Sequence, residues 1–315
     1  MAEKSLMKGN EALAEAAIRA GCKCFFGYPI TPQTEISAYL SKRMPKVGGV
    51  FLQAESEVAA INMVYGCAGS GIRCMTSSSS PGISLKTEGI SYIAGSDLPC
   101  VIIDVQRGGP GLGGIQPSQA DYWQATKALG HGDFHILVYA PASVQEMVDM
   151  VVTAFDRADK YRMPAMILAD GLLGQMMEPV SFPEINANAY DKSSWAADGH
   201  KNKREHHIIN SLYLKPDELQ KSVYDRFERY EKVKAEETDA ELYLTEDCDI
   251  LLCAYGATAR VVKSAVNSAR EMGIKAGMFR PKTLWPFPVK EINEACKSAK
   301  CLLDVEMSMG QMIDD

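Results

Sequence analysis

Residues 23–57 read KCFFGYPITPQTEISAYLSKRMPKVGGVFLQAESE, and their order decides the fold. A short apolar run (23–27) predicts a strand. It gives way at Tyr28-Pro29-Ile30-Thr31-Pro32 to a loop, and a helix follows to about Lys42. Phe51-Leu52-Gln53 predicts the next strand, and Glu55-Ser56-Glu57 opens a further helix. Strand, loop, helix, strand is the unit of an α/β sheet, in which ligands bind beyond the carboxyl ends of the strands. A glutamate carried into an apolar segment at that edge is better suited to serve a ligand than to serve the fold.

Outward from this stretch the pattern repeats. Asn10–Gly21 predicts a helix with Asn10 as cap and Gly21 as stop, and residues 57–70 an apolar helix rich in small residues. Strands are expected at 72–77, 101–106 (VIIDVQ), 135–139 and 165–169, with helices at 83–95, 118–128 and 143–161 between them. Such alternation predicts a parallel sheet covered on both faces. From Glu178 to Glu246 the chain is polar and contains a charged helix at 216–236, which reads as a solvated connecting arm. Buried strands then resume at 249–254, 274–279 and 300–306, with helices at 257–272 and 289–298 and a proline-punctuated loop over Arg280–Pro288. The expected organisation is a first α/β domain over 1–180, an arm over 181–246 and a smaller α/β domain over 247–315. The second domain ends soon after a strand with no helix to cover it, so it reads as cut short or finished by another chain.

Composition narrows the function classes. The 315 residues are 46% hydrophobic and 23% charged, as in ordinary globular proteins, and no run of 18 apolar residues offers a membrane span. The N-terminus lacks the apolar core of a signal peptide, so a cytoplasmic protein is expected. A net charge of −7 argues against nucleic acid as a partner. Nine cysteines are scattered without a CxxC, and the spacings that hold iron–sulfur clusters or structural zinc are absent. They read as small buried hydrophobes in a reducing, anaerobic cytosol.

The remaining candidates are local. Gly109–Gly114 matches GxGxxG after a strand, but Pro117 intervenes before any helix, and the acid expected after the next strand is missing. It reads as a mobile or close-packing loop beside Arg107. Ser77–Ser80, before Pro81-Gly82, offers hydroxyls and N–H groups to an anion or polar ring, or else a plain capping turn. Glu57 is either a ligand-binding carboxylate or one stabilised by its helix N-terminus. Arg107 ends a core strand and suits a carboxylate or a structural ion pair. Thr31 can donate a hydroxyl at the same edge. Together, three polar groups at three strand ends make a site.

These words, with GNEALAEAAIRAG, TSSSSPG, VQRGGPGLGGIQPSQADYWQATKALGHGD, INSLYL, LLCAYGATAR and VEMSMGQM, resemble the α subunit of a 2-oxoacid:ferredoxin oxidoreductase over essentially the whole chain. The wording is similar to the branched-chain type acting on 3-methyl-2-oxobutanoate, with the 2-oxoglutarate type as near neighbour. The resemblance implies a pyrimidine-binding domain of the thiamine diphosphate kind followed by a domain like the carboxy-terminal domain of transketolases. It implies that Glu57, which aligns with the family's glutamate where Glu55 does not, bonds N1′ of the aminopyrimidine and promotes the imino tautomer that creates the reactive carbanion. It also implies that Thr31 and Arg107 hold the 2-oxoacid's carbonyl and carboxylate, and that Pro29 and Ile30 line the pyrimidine.

A GDG…N motif for diphosphate and magnesium does not occur, nor do cluster-binding cysteines. The resemblance therefore places the diphosphate domain and Mg²⁺ on a β subunit and the iron–sulfur clusters on γ and δ subunits, with ferredoxin and coenzyme A as further partners. This chain alone is expected to be inactive. The alternative from another class is a non-catalytic assembly or nucleotide-binding module on the same sheet.

Overall fold

Why apolar runs of four to six residues become central strands here follows from their cover: helices seal both faces of the sheet, so every position of VIIDVQ is buried rather than every second one. A computed structural model describes residues 4–127, 129–184 and 190–315. In chain order the first elements are β1 (Ser5–Lys8), α1 (Gly9–Arg19), β2 (Cys24–Gly27), α2 (Thr34–Arg43), β3 (Val50–Gln53) and α3 (Glu57–Gly69). Then come β4 (Cys74–Ser78), α4 (Pro81–Gly95), β5 (Val101–Gln106), α5 (Tyr122–Thr126), β6 (Leu137–Tyr139), α6 (Val144–Tyr161) and β7 (Ala165–Asp170). The chain continues through α7 (Gly171–Gln175), β8 (Met177–Val180), α8 (Pro216–Glu236), β9 (Ala240–Tyr243), β10 (Ile250–Cys253) and α9 (Gly256–Glu271). It closes with β11 (Ala276–Pro281), β12 (Thr283–Trp285), α10 (Val289–Ala295) and β13 (Cys301–Asp304).

The main sheet has seven strands in the order β12-β6-β7-β5-β4-β2-β3, all parallel except the antiparallel edge strand β12. The order places β5, β4, β2 and β3 side by side, so the loops carrying Arg107, Ser77–Ser80, Thr31 and Glu57 leave adjacent strands at one edge. The helices are anchored locally. Ser143 accepts from Glu146 N–H (3.1 Å) at the start of α6, while the Glu146 carboxylate accepts from Ala142 N–H (2.7 Å). This is a capping arrangement that supplies two otherwise orphaned donors. From that cap, Val144, Met147, Val148, Val151, Phe155 and Ala158 form the buried face that covers the sheet.

The second sheet runs β13-β10-β11-β9, with β9 antiparallel. Three expectations are corrected here. The Arg280–Pro288 loop is largely strand: β11 runs on to Pro281, and β12 crosses to the main sheet, pairing Thr283 with Tyr139. Residues 240–243, expected in the arm, are β9 of the second sheet; four residues of AELY are too few to show a period. The helix expected over 118–128 shrinks to α5, because residues before it bond to the second unit instead of to a helix ladder; residue 128 lies outside the described residues.

The arm is also less solvated than its composition suggests. α8 buries Arg226, Tyr230 and Val233 on one face. Arg226 and Arg229 bond to Asp97 Oδ1 (3.3 and 2.6 Å), and the Tyr230 hydroxyl donates to His135 O (3.0 Å). Residues 185–189 of the arm lie outside the described residues.

Candidate active site

Glu57 takes the first position of α3, and its burial follows from the turn before it. Ser56 is extended (φ −161°, ψ 165°) and its Oγ accepts from Ala59 N–H at 3.1 Å, so Ser56 is the cap. Such a cap contributes about 1 kcal/mol. It leaves the Glu57 carboxylate without a capping task and turns it inward, 7% exposed, while Glu55 faces solvent. No hydrogen-bond donor of the chain reaches the Glu57 carboxylate among the described residues. The helix N-terminus and a nearby cation keep such a buried acid tolerable.

The surroundings of Glu57 are shaped for close approach. A Cβ on Gly82 would lie 2.9 Å from Glu57 Oε1 and 2.1 Å from Ser78 Oγ, so any side chain at the start of α4 would displace both groups. The hydroxyls of Thr76, Ser78 and Ser79 are buried and lack partners, as is the ammonium of Lys86 one turn along α4. Buried polar groups are ordinarily bonded, and each one stranded costs about 1–3 kcal/mol. Of these, Ser78 meets Gly82 beside the Glu57 carboxylate and Lys86 feels its charge, and open groups so placed fit a polar ring that the chain itself does not supply. Ser77 differs: its Oγ donates to Gln33 Oε1 at 2.6 Å, a fully buried glutamine that the sequence reading passed over.

Arg107 joins two loops. Its Nη1 donates to Thr31 O (2.9 Å) and its Nη2 to Leu112 O (3.0 Å), while Nε is buried without a partner. Thr31 and Arg107 are thus brought together as the sequence reading expected, though through the threonine's carbonyl, and Thr31 keeps its side chain at the surface with Pro29. A cavity of about 430 Å³ opens beside Thr31, Pro32, Ile115 and Gly171. The glycine loop closes on itself through Gly108 N–H to Gln116 O and Gly114 N–H to Gly108 O (both 2.9 Å). A Cβ on Gly113 would lie 1.8 Å from Gly108 O, and Leu112 at the tip is 84% exposed. The loop opens into no helix, so it lacks the phosphate-binding geometry of a dinucleotide fingerprint.

Between these two groups stands Ser80, with φ at 24°, a conformation non-glycine residues rarely adopt. Its N–H donates to Asp104 Oδ1 (3.2 Å), its Oγ donates to Asp121 Oδ2, and Arg107 N–H donates to that same Oγ (3.0 Å). Asp104 is an acid inside the β5 core. Burial, and then the neighbouring Asp121, push its carboxyl well above the usual range, and burial raises Asp121 too. Burial thus favours the neutral form of Asp104, and the two acids fix the turn before α4 through their bonds to Ser80. A lone aspartate in VIIDVQ was the available signal.

Comparison with known proteins joins this geometry to a family. Residues 15–242 match the family described as pyruvate flavodoxin/ferredoxin oxidoreductase, thiamine diphosphate-binding, and residues 248–315 match pyruvate:ferredoxin oxidoreductase core domain II. The chain belongs to the 2-oxoacid:ferredoxin oxidoreductases, as an α-type subunit. The ketoisovalerate oxidoreductase subunit VorB of Methanothermobacter marburgensis is 51% identical over 310 residues, covering 98% of this chain and 88% of that one. The 2-oxoglutarate synthase subunit KorA of the same organism is 38% identical, covering 99% and 90%. The structure of 2-oxoglutarate:ferredoxin oxidoreductase from Magnetococcus marinus, with 2-oxoglutarate, coenzyme A and succinyl-CoA bound, superposes with a TM-score of 0.91 at 29% identity. This chain spans 99% of itself but 60% of that chain. The family, the fold and the oxidoreductase class read from the sequence are borne out. Among the described residues, no helix is long and apolar enough to cross a membrane.

Proposed function

We propose that this chain supplies the pyrimidine-side half of a thiamine diphosphate site in a complex that oxidatively decarboxylates a branched-chain 2-oxoacid, 3-methyl-2-oxobutanoate, to its acyl-CoA and CO₂. The observation that carries the reading is the buried, unpaired Glu57 carboxylate packed against Gly82, with the unpartnered Ser78 hydroxyl and Lys86 ammonium near it. Higher identity to the ketoisovalerate subunits than to the 2-oxoglutarate subunits (51% against 38%) supports the substrate.

When bound, thiamine diphosphate supplies a nucleophilic carbon for the 2-oxo group and an electron sink for the loss of CO₂. Glu57 would bond the N1′ nitrogen, holding a proton at that atom by offering it a carboxylate in a water-poor pocket. Pro29 and Ile30, on the loop after β2, would line the ring. Thr31 and Arg107 would orient the substrate's carbonyl and carboxylate; the unpartnered Arg107 Nε and the second hydrogens of its Nη groups are the donors still open.

The diphosphate and its Mg²⁺ would be held by a β subunit, and the clusters that pass electrons to ferredoxin by γ and δ subunits, in the cytoplasm. The unit over 1–180 carries the site, residues 181–239 connect, and the unit that begins with β9 at Ala240 packs beside it.

The test is a complex reconstituted from all subunits and assayed with a viologen acceptor against 2-oxoisovalerate, 2-oxoglutarate and pyruvate. The highest kcat/KM is expected for 2-oxoisovalerate. Preference for 2-oxoglutarate would overturn the substrate, and absence of coenzyme A-dependent decarboxylation with all three would overturn the activity.

A further inference from the structure

Gly82, Lys86 and Gly89 follow one another along α4 at spacings of four and three, so they share one face of the helix. The two glycines are contact points with α3. Gly82 meets Glu57, and a Cβ on Gly89 would lie 2.5 Å from Ile61 Cγ2. Between these contacts stands Lys86, fully buried, with an ammonium that no acceptor reaches. Among the described residues it forms no ion pair within 4.0 Å.

The fold has no use for a charge here. An unbranched apolar side chain would fill the same space between the glycines without the cost of stripping water from an ammonium. What the position does offer is proximity to one acid. Glu57 on α3 is the charged group that acts on Lys86, and the strand side of the helix presents Ser78, a hydroxyl, at the same face. Burial lowers the lysine to about 8, and the Glu57 charge opposes that fall.

We propose that Lys86 is the counter-charge of Glu57 in the unloaded half-site, and that it releases a proton to solvent when a protonated pyrimidine nitrogen takes over as the cation facing that carboxylate. The inference rests on the assignment of Glu57 given above. One N–H bond of the ammonium breaks as one N–H bond forms on the ring, so the sealed pocket keeps the same net charge. Lys86 is a positioning residue in this account: it touches neither substrate nor the reacting carbon, and it acts through Glu57.

The experiment is calorimetric titration of thiamine diphosphate, with Mg²⁺ present, into the reconstituted complex in buffers of different ionisation enthalpy, which counts protons exchanged on binding. At about pH 7, where an ammonium titrating near 8 is mostly charged, Lys86→Met should take up close to one proton more per site than wild type. At about pH 9.5 the two should agree, because the wild-type lysine is then already neutral. Lys86→Arg, which cannot release a proton, should bind the cofactor roughly tenfold more weakly, equivalent to about 1.4 kcal/mol. Should the methionine variant fail to assemble, Lys86→Leu gives the same count.

Equal proton counts in wild type and Lys86→Met at both pH values overturn the proposal. Glu57→Gln in the same titration separates the two assignments. If that variant turns over normally, the role of Glu57 falls and this inference with it. If it is inactive while Lys86→Met matches wild type, only the role of Lys86 falls.

Discussion

The polar cluster around Gln119 and the polar cluster around Glu57 are both buried, yet only the first is complete. Gln119 Nε2 donates to Tyr255 O (2.8 Å), and its Oε1 accepts from Thr258 Oγ1 (2.6 Å) and Met307 N–H (2.9 Å). Its own N–H donates to Met307 O (2.9 Å), and its carbonyl accepts from the Tyr255 hydroxyl (3.0 Å). These bonds tie the loop after β5 to α9 and to the segment after β13. Beside Glu57 the hydroxyl of Ser78 and the ammonium of Lys86 have nothing to bond, and neither has the hydroxyl of Ser79 next in the chain. A buried polar group that is satisfied within the chain holds the fold, whereas a set left open in one place is shaped for a ligand.

The comparison breaks or holds on paired substitutions. Gln119→Leu strands the Met307 N–H and the Thr258 hydroxyl, and at about 1–3 kcal/mol for each stranded group a loss of about 2–6 kcal/mol is expected. Ser79→Ala removes a hydroxyl without a partner, so stability should stay within about 1 kcal/mol of wild type or rise. Denaturant unfolding of both variants checks the pair; equal losses would erase the distinction drawn between the clusters.

A smaller effect is expected at Arg107, which belongs partly to each class: its Nη groups each donate one bond, to Thr31 O and Leu112 O, but its Nε donates none. Arg107→Ala should raise KM for the 2-oxoacid about 10–100-fold, from about 1.5–3 kcal/mol for a charged hydrogen bond, with cofactor affinity little changed. A fall in cofactor affinity at constant KM would move Arg107 out of the substrate site.

The structure also shows which parts of this contrast a sequence can carry. The parallel sheet was legible because VIIDVQ, AMILAD and their neighbours alternate with helices of clear period. Glu57 was legible because an acid opening the apolar helix AESEVAAINMVYG conflicts with its surroundings, and such conflicts gather at functional sites. Lys86 was not. Within ISLKTEGI a lysine reads as a solvent-facing residue, and only the flanking Gly82 and Gly89, meaningful once α3 is known to cross there, reveal that it is sealed in. Gln119 was hidden for the complementary reason: its partners lie more than 130 residues away, and no local pattern announces a bond to Tyr255 or Met307. The strands β9 and β12, each of three or four residues, owe their extended form to neighbouring strands rather than to their own alternation.

The central claim, that the open cluster is half of a thiamine diphosphate site with Glu57 as its working carboxylate, is tested most directly by comparing Glu57→Gln with Glu55→Gln in the reconstituted complex. The two glutamates stand two residues apart, one buried and one exposed. Glu57→Gln should assemble normally and lose decarboxylation by at least about 100-fold, the low end of what a positioned proton-transfer group contributes, while Glu55→Gln keeps wild-type turnover. Near-normal turnover in the Glu57→Gln complex would contradict the account.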